Sequence, residues 1–123
     1  MSGLAANERV VAPLASLPPG GQHVWQEGLT RVLVCRDTGG NVSAMMDLCP
    51  HARQPLAGGL VDAVSITCPK HGARFDLRTG APLNAVCRRG LQVLAVRVVA
   101  DDIVVALPTA TDAAGATGKS LSF

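Results

Sequence analysis

Apolar residues in this chain come in short runs separated by Gly, Pro, Asn and Asp, the signature of strands joined by tight turns rather than of amphipathic helices. The spacing predicts a first strand near Arg9 to Ala12 and a turn through Leu17-Pro18-Pro19-Gly20-Gly21. Two further strands, His23 to Gln26 and Thr30 to Arg36, are divided by Glu27-Gly28-Leu29, and Thr38-Gly39-Gly40-Asn41 separates the second from Val42 to Met46. This half reads as a meander. The runs Met45 to Leu48 and Val64 to Thr67 each stop at a cysteine, Cys49 and Cys68, so the segments beginning there are expected to hang from strand ends. Phe75-Asp76 resumes an extended path, and Arg78 to Pro82 turns again. Leu91 to Val99 then alternates before Ala100-Asp101-Asp102 leads into Ile103 to Leu107, the clearest hairpin of the chain. Beyond Pro108 the residues are mostly Ala, Thr, Gly and Ser with little to bury, which predicts one domain over 1–108 and a mobile tail over 109–123.

Composition strengthens the all-β reading. Trp25, Phe75 and Phe123 are the only aromatic residues, so Val, Leu and Ala must fill the core, and branched Val favours strands. With 123 residues and 48% hydrophobic content, the chain suits a single compact domain. No stretch of eighteen apolar residues occurs, and Glu8 and Arg9 stand where a signal peptide needs its apolar region, so the expected location is the cytoplasm and not a membrane.

The chemistry lies in two cassettes, Cys49-Pro50-His51 and Cys68-Pro69-Lys70-His71, with sixteen residues between them. Each offers one soft anionic sulfur and one neutral nitrogen, a donor set suited to a two-iron cluster whose irons are differently ligated. A Cys2His2 zinc finger keeps its cysteines together and its histidines together, whereas here the two types alternate. Pro50 and Pro69 stiffen the turns, so two facing loops can clamp a flat cluster. Zinc held by all four side chains, in a small interaction module, stays open as an alternative at this point.

Of the remaining cysteines, Cys35 shares a strand face with Leu33 and reads as a small core residue. Cys87 precedes Arg88 and Arg89, whose charge favours a thiolate if the side chain is exposed. A disulfide between the two is not expected in a reducing cytoplasm. His23 reads as a surface or strand-edge residue.

The match to a known family extends beyond the four candidate ligands. Cys49-Pro50-His51 with Leu56 resembles the first cluster loop of the Rieske proteins, written C-P-H-x-x-x-x-L. Cys68, Pro69, His71, Gly72, Phe75, Asp76, Thr79 and Gly80 coincide with the second, C-P-x-H-G-x-x-F-D-x-x-T-G, and the two motifs span about a quarter of the chain. Leu14 to Gly20 and Leu91 to Leu107 are similar to the family's entry segment and terminal hairpin.

The resemblance implies an all-β Rieske fold: antiparallel sheets with a small rubredoxin-like cluster-binding subdomain. It implies one [2Fe-2S] cluster, with Cys49 and Cys68 on the buried iron and His51 and His71 on the outer one. The family's high-potential members staple the loops with two further cysteines, at positions that are Gln54 and Lys70 here. They also donate hydrogen bonds to sulfur from a serine and a tyrosine, where this chain has Ala73 and Phe75. Without those donors the extra electron is less stabilised, which predicts a potential of about −150 mV rather than about +300 mV.

The implied function is one-electron transfer from a flavoprotein reductase to a terminal ring-hydroxylating oxygenase, by a carrier that is not itself an enzyme. A small subunit bound to the large subunit of an NADH-dependent nitrite reductase is the alternative. Three histidines cannot supply both the cluster and a mononuclear iron triad, and no G-x-G-x-x-G run is present to hold a nicotinamide or flavin. Between residues 49 and 90, Arg53, Lys70, Arg74, Arg78, Arg88 and Arg89 face only Asp62 and Asp76, in a chain of net charge +2. That local surplus suits an acidic protein partner. Nucleic acid is not an expected partner, because no basic helix or stacking aromatics accompany the arginines.

Overall fold

The computed structural model describes residues 4–50 and 54–108, in which ten strands form three antiparallel sheets. An outer sheet has the order β1 (Glu8–Pro13), β10 (Asp102–Ala106), β9 (Val96–Val99). The middle sheet runs β2 (Gln22–Glu27), β3 (Thr30–Arg36), β4 (Val42–Met46), β8 (Val93–Leu94). A small sheet of β5 (Leu60–Val61), β6 (Ser65–Thr67) and β7 (Arg74–Asp76) completes the fold. The sequence-predicted tail over 109–123 lies outside the described residues.

The middle sheet is buried on both faces. Val32, Leu33, Val34 and Cys35 of β3 are all 0% exposed, where an antiparallel strand with one wet face would alternate. Alternation survives as a division between two cores. Val32 and Val34 pack with Val11, Leu17, Ile103 and Val105 beneath the outer sheet. Leu33 and Cys35 point the other way, to Met45, Leu56, Ile66 and Phe75 beneath the small sheet. Cys35 therefore shares the face of Leu33, as the period-two pattern predicts. Burial and the nearby Asp47 charge push its thiol up to about 12, so it stays protonated and serves as core.

The meander follows the sequence closely, and β3 and β4 have the expected bounds. Glu27 pairs with Thr30 across Gly28-Leu29, where Gly28 takes a left-handed φ of +60°. His23 is exposed on β2, an edge strand of the middle sheet, as expected. Val99 pairs with Asp102 across Ala100 and Asp101, both left-handed (φ 49° and 69°), which is the turn type matched to strand twist. The Asp101 carbonyl accepts the Leu14 N–H at 2.8 Å, fastening this turn to a short 3-10 segment at Leu14–Ser16.

Three features depart from the sequence pattern. The stretch expected as one strand, Leu91 to Val99, breaks at Ala95: β8 pairs with β4 and β9 pairs with β10, so the chain crosses from the middle sheet to the outer one. Unbroken alternation cannot reveal that switch of partner. β5, only two residues long, is too short for any periodicity to show. The 3-10 segment also carries no distinctive pattern.

Glu8 of β1 and Arg97 of β9 clasp the outer sheet across β10, with Arg97 Nε donating to Oε2 at 2.9 Å and Nη2 to Oε1 at 2.8 Å. That bidentate pairing, aided by the Ala5 N–H, lowers the Glu8 carboxyl from 4.5 to about 2. A depressed carboxyl stabilises the fold above its unfolded value, and the contribution is lost as pH falls from about 4.5 towards 2. Thermal unfolding of wild type and Glu8→Gln across this range is expected to show the variant less stable at neutral pH and the two proteins converging below pH 2.

Candidate metal centre

Both cysteine cassettes are closed by the same bond. The Cys49 N–H donates to the Gln54 carbonyl and the Cys68 N–H to the Ala73 carbonyl, each at 2.7 Å and each five residues along. In the second turn the Gly72 N–H also donates to the Cys68 carbonyl at 3.1 Å, and Gly72 has a left-handed φ of +77°. Cys49 is 0% exposed and Cys68 2%, and both lie, without a disulfide, in the apolar core that contains Leu56, Ile66, Ala73 and Phe75. His71, three residues beyond Cys68, is exposed, as are Pro69 and Lys70. The structure thus brings Cys49 and Cys68 together in one core, with the second imidazole outside it. His51, with Ala52 and Arg53, lies outside the described residues.

The Rieske-like sequence after His71 proves to be turn chemistry. Asp76 Oδ1 accepts the Arg78 and Thr79 N–H groups at 2.8 and 2.9 Å, and these bonds hold its carboxyl below the usual range. The Gly80 N–H closes onto the Asp76 carbonyl, with Gly80 at φ +78°. At that glycine an added Cβ would stand 2.5 Å from the Leu91 carbonyl oxygen, which excludes any side chain. Asp62 does a similar job before β6, accepting the N–H groups of Val64 and Ser65 and the Ser65 hydroxyl; the Val64 amide bond, then the Ser65 hydroxyl, lead in lowering its carboxyl pKa.

Sequence reasoning missed the residues that brace the loops. Asn84 Nδ2 donates to the Gly72 carbonyl at 2.9 Å while its Oδ1 accepts the Arg74 N–H at 3.3 Å, fixing the segment after β7 against the second cassette. Gln22 reaches from β2 to the far limb of the first loop, its Oε1 accepting the Gly58 N–H at 2.9 Å and its Nε2 donating to the Gly59 carbonyl. Buried Asp47 also holds this limb. Asn, Gln and Asp in polar stretches carry no periodic signal, so only the fold reveals these roles. Cys87 is a correction. It is buried, and its thiol donates to the Arg89 carbonyl at 3.4 Å, so the exposure that the expectation required is missing. Cys35 and Cys87 are both free.

Of the expected cations, Lys70, Arg78, Arg88 and Arg89 are exposed, whereas Arg74 approaches Asp62 at 3.6 Å and donates to Ser65 Oγ. Exposed Leu83 and Val86 occur in the same stretch of chain as these cations. Among the described residues, no three His, Cys, Asp or Glu side chains gather around a single ion position.

The model of the Rieske [2Fe-2S] domain family matches residues 7–105, nearly the whole described fold. This chain belongs to the Rieske family. Its donor set suits that family's cluster: two buried, unbridged thiols in matched turns, with an imidazole at the rim. The cofactor is one Rieske-type [2Fe-2S] cluster, and the Rieske chain is an electron-transfer component rather than a catalytic subunit. It is 33% identical over 91 residues to the ferredoxin component of biphenyl 2,3-dioxygenase from Rhodococcus jostii (strain RHA1), covering 74% of this chain and 84% of that one. The solved ferredoxin of carbazole 1,9a-dioxygenase from Nocardioides aromaticivorans IC177 is 37% identical, with a TM-score of 0.76 over 82% of this chain and 98% of that one. A complex of reduced oxygenase and oxidized ferredoxin in carbazole 1,9a-dioxygenase contains a chain that is 29% identical, with a TM-score of 0.77 over 83% of this chain and 94% of that one. Among the described residues no helix is long and apolar enough to cross a membrane.

At Gly59, just before β5, the chain lies tight against the end of β6. An added Cβ would stand 2.2 Å from the Thr67 carbonyl oxygen, immediately before Cys68. Gly59→Ala must push these strands apart, and denaturant unfolding is expected to register a loss of about 1–3 kcal/mol.

Proposed function

We propose that this chain is a Rieske ferredoxin that carries single electrons from a flavoprotein reductase to the terminal oxygenase of a ring-hydroxylating system. In this reading Cys49 and Cys68 hold one iron and His51 and His71 the other, within a domain spanning residues 1–108 in the cytoplasm. The observation that carries it is the placement of a buried thiol and an exposed imidazole on one closed turn, Cys68 to His71, in a chain whose relatives are dioxygenase ferredoxins. When bound, the [2Fe-2S] cluster takes up and returns one electron.

The protein's part is placement and charge. Cys49 and Cys68 sit in apolar surroundings that exclude water from the sulfur side, while His71 offers an edge at the surface through which an electron can pass to a partner. Exposed Lys70, Arg78, Arg88 and Arg89 draw an acidic partner towards this end and strengthen encounter more than residence. Such an association is transient and salt-sensitive. A subunit of a nitrite reductase would instead co-purify as a stable complex. The dioxygenase ferredoxins among the relatives favour the carrier.

Ala73 and Phe75 are 0% exposed and offer no side-chain donor to sulfur. Anaerobically reduced protein is expected to give a rhombic paramagnetic resonance spectrum with two nitrogen ligands and a potential of about −150 mV. Colourless, zinc-loaded material overturns the cluster. Ala73→Ser is expected to raise the potential by stabilising the added electron, and a wild-type value near the top of the Rieske range overturns the hydrogen-bond argument.

A further inference from the structure

The two cassettes share one closing bond but stand on different foundations. Beneath the second turn lies a true hairpin: β6 and β7 pair Thr67 with Arg74, Ile66 with Phe75 and Ser65 with Asp76, so backbone hydrogen bonds continue below Cys68 and Ala73. The first turn has no such ladder. Below the Cys49 and Gln54 pair, the limb descending from β4 and the limb returning through Leu56 and Ala57 are not joined as strands. Among the described residues, the Asp47 side chain joins them. Asp47 Oδ1 accepts the N–H groups of Leu56 and Ala57 at 2.8 and 2.9 Å, the two bonds a ladder would otherwise have supplied.

The carboxylate is itself fixed from behind. Its side chain is 0% exposed, and Arg31 Nε, at the start of β3, donates to Oδ2 at 2.5 Å. The Asp47 N–H donates to the Arg31 carbonyl at 2.9 Å, so backbone and side chain are anchored to the same residue of the middle sheet. The load path therefore runs from β3 through Arg31 and Asp47 to both limbs of the first loop, two residues before Cys49.

We propose that Asp47 is the positioning residue for Cys49 in the first cluster loop, a carboxylate that stands in for a strand pair and ties the limb entering Cys49 to the limb at Leu56 and Ala57. The inference rests on the cluster-ligand reading above. Asp62 supplies the natural control. It too accepts two backbone amides and a further donor, but it braces the turn between β5 and β6, two strands that are already paired with each other.

The test compares the loaded wild type with Asp47→Ala, Asp47→Asn and Asp62→Ala, reading iron and sulfide per chain, visible circular dichroism and the rate of cluster loss to an iron chelator. Amide hydrogen exchange at Leu56 and Ala57 reads the grip itself. Asp47→Ala is expected to lose its cluster about tenfold faster and to lose protection at both amides, while Asp62→Ala keeps its cluster about as long as wild type. Asp47→Asn retains an acceptor for the two amides but turns a donor towards Arg31, so it should fall between, and it serves where the alanine variant fails to fold. The proposal is overturned if Asp47→Ala and Asp47→Asn hold the cluster as long as wild type, or if Asp62→Ala loses it as fast. Wild-type protein that contains no iron and sulfide overturns the functional reading, and this proposal with it.

Discussion

A sheet covered on both faces has no solvent side to which a misplaced polar residue can retreat, and β3 lives under that constraint. Its four central residues are fully buried, Val32 and Val34 against the outer sheet and Leu33 and Cys35 against the small sheet. A one-residue slip of register would exchange the two cores wholesale, which is why the pairing of β2, β3 and β4 is so strongly specified. The rest of the molecule is attached to this wall. The outer sheet closes one side, and the other side carries the core in which Cys49 and Cys68 are sunk.

Rigidity at the cluster end comes from short-range polar devices laid over that apolar floor. Each cysteine N–H is tied to a carbonyl five residues on; Asn84 straps the later segment to Gly72; Gln22 and Asp47 reach from the middle sheet to the limb at 56–59. These bonds also satisfy backbone donors and acceptors that non-strand segments would otherwise leave unpaired. A carrier of single electrons benefits from such bracing, because a cluster environment that changes little between oxidation states has little to reorganise. His71 and its neighbours Pro69 and Lys70 are exposed, while Cys68 on the same turn stays buried.

Much of the candidate site was legible in the chain. Cys49, Cys68 and His71 stood out as candidates because metal ligation asks for particular atoms at particular spacings, and the turn residues Asp76, Thr79 and Gly80 because tight backbone geometry demands particular residue types. The meander was legible for a related reason: period-two alternation and Gly-rich turns are local physics, and β3 and β4 appeared with the bounds their pattern implies. Asp47, Gln22 and Asn84 left no comparable trace, since each acts on a backbone group 9 to 37 residues away.

Spacing within a few residues was enough to read the strand-rich class, the two Cys-His cassettes as candidate ligands, the family and the placement of Cys35 on a core face. Only the tertiary structure decided that Leu91 to Val99 changes sheets at Ala95, that Cys87 is buried, that Arg74 is drawn to Asp62, and that one cassette stands on a ladder while the other leans on a carboxylate. Those outcomes depend on which distant segments meet. Side-chain periodicity records the direction a residue faces, and it carries no information about the element that faces it in return.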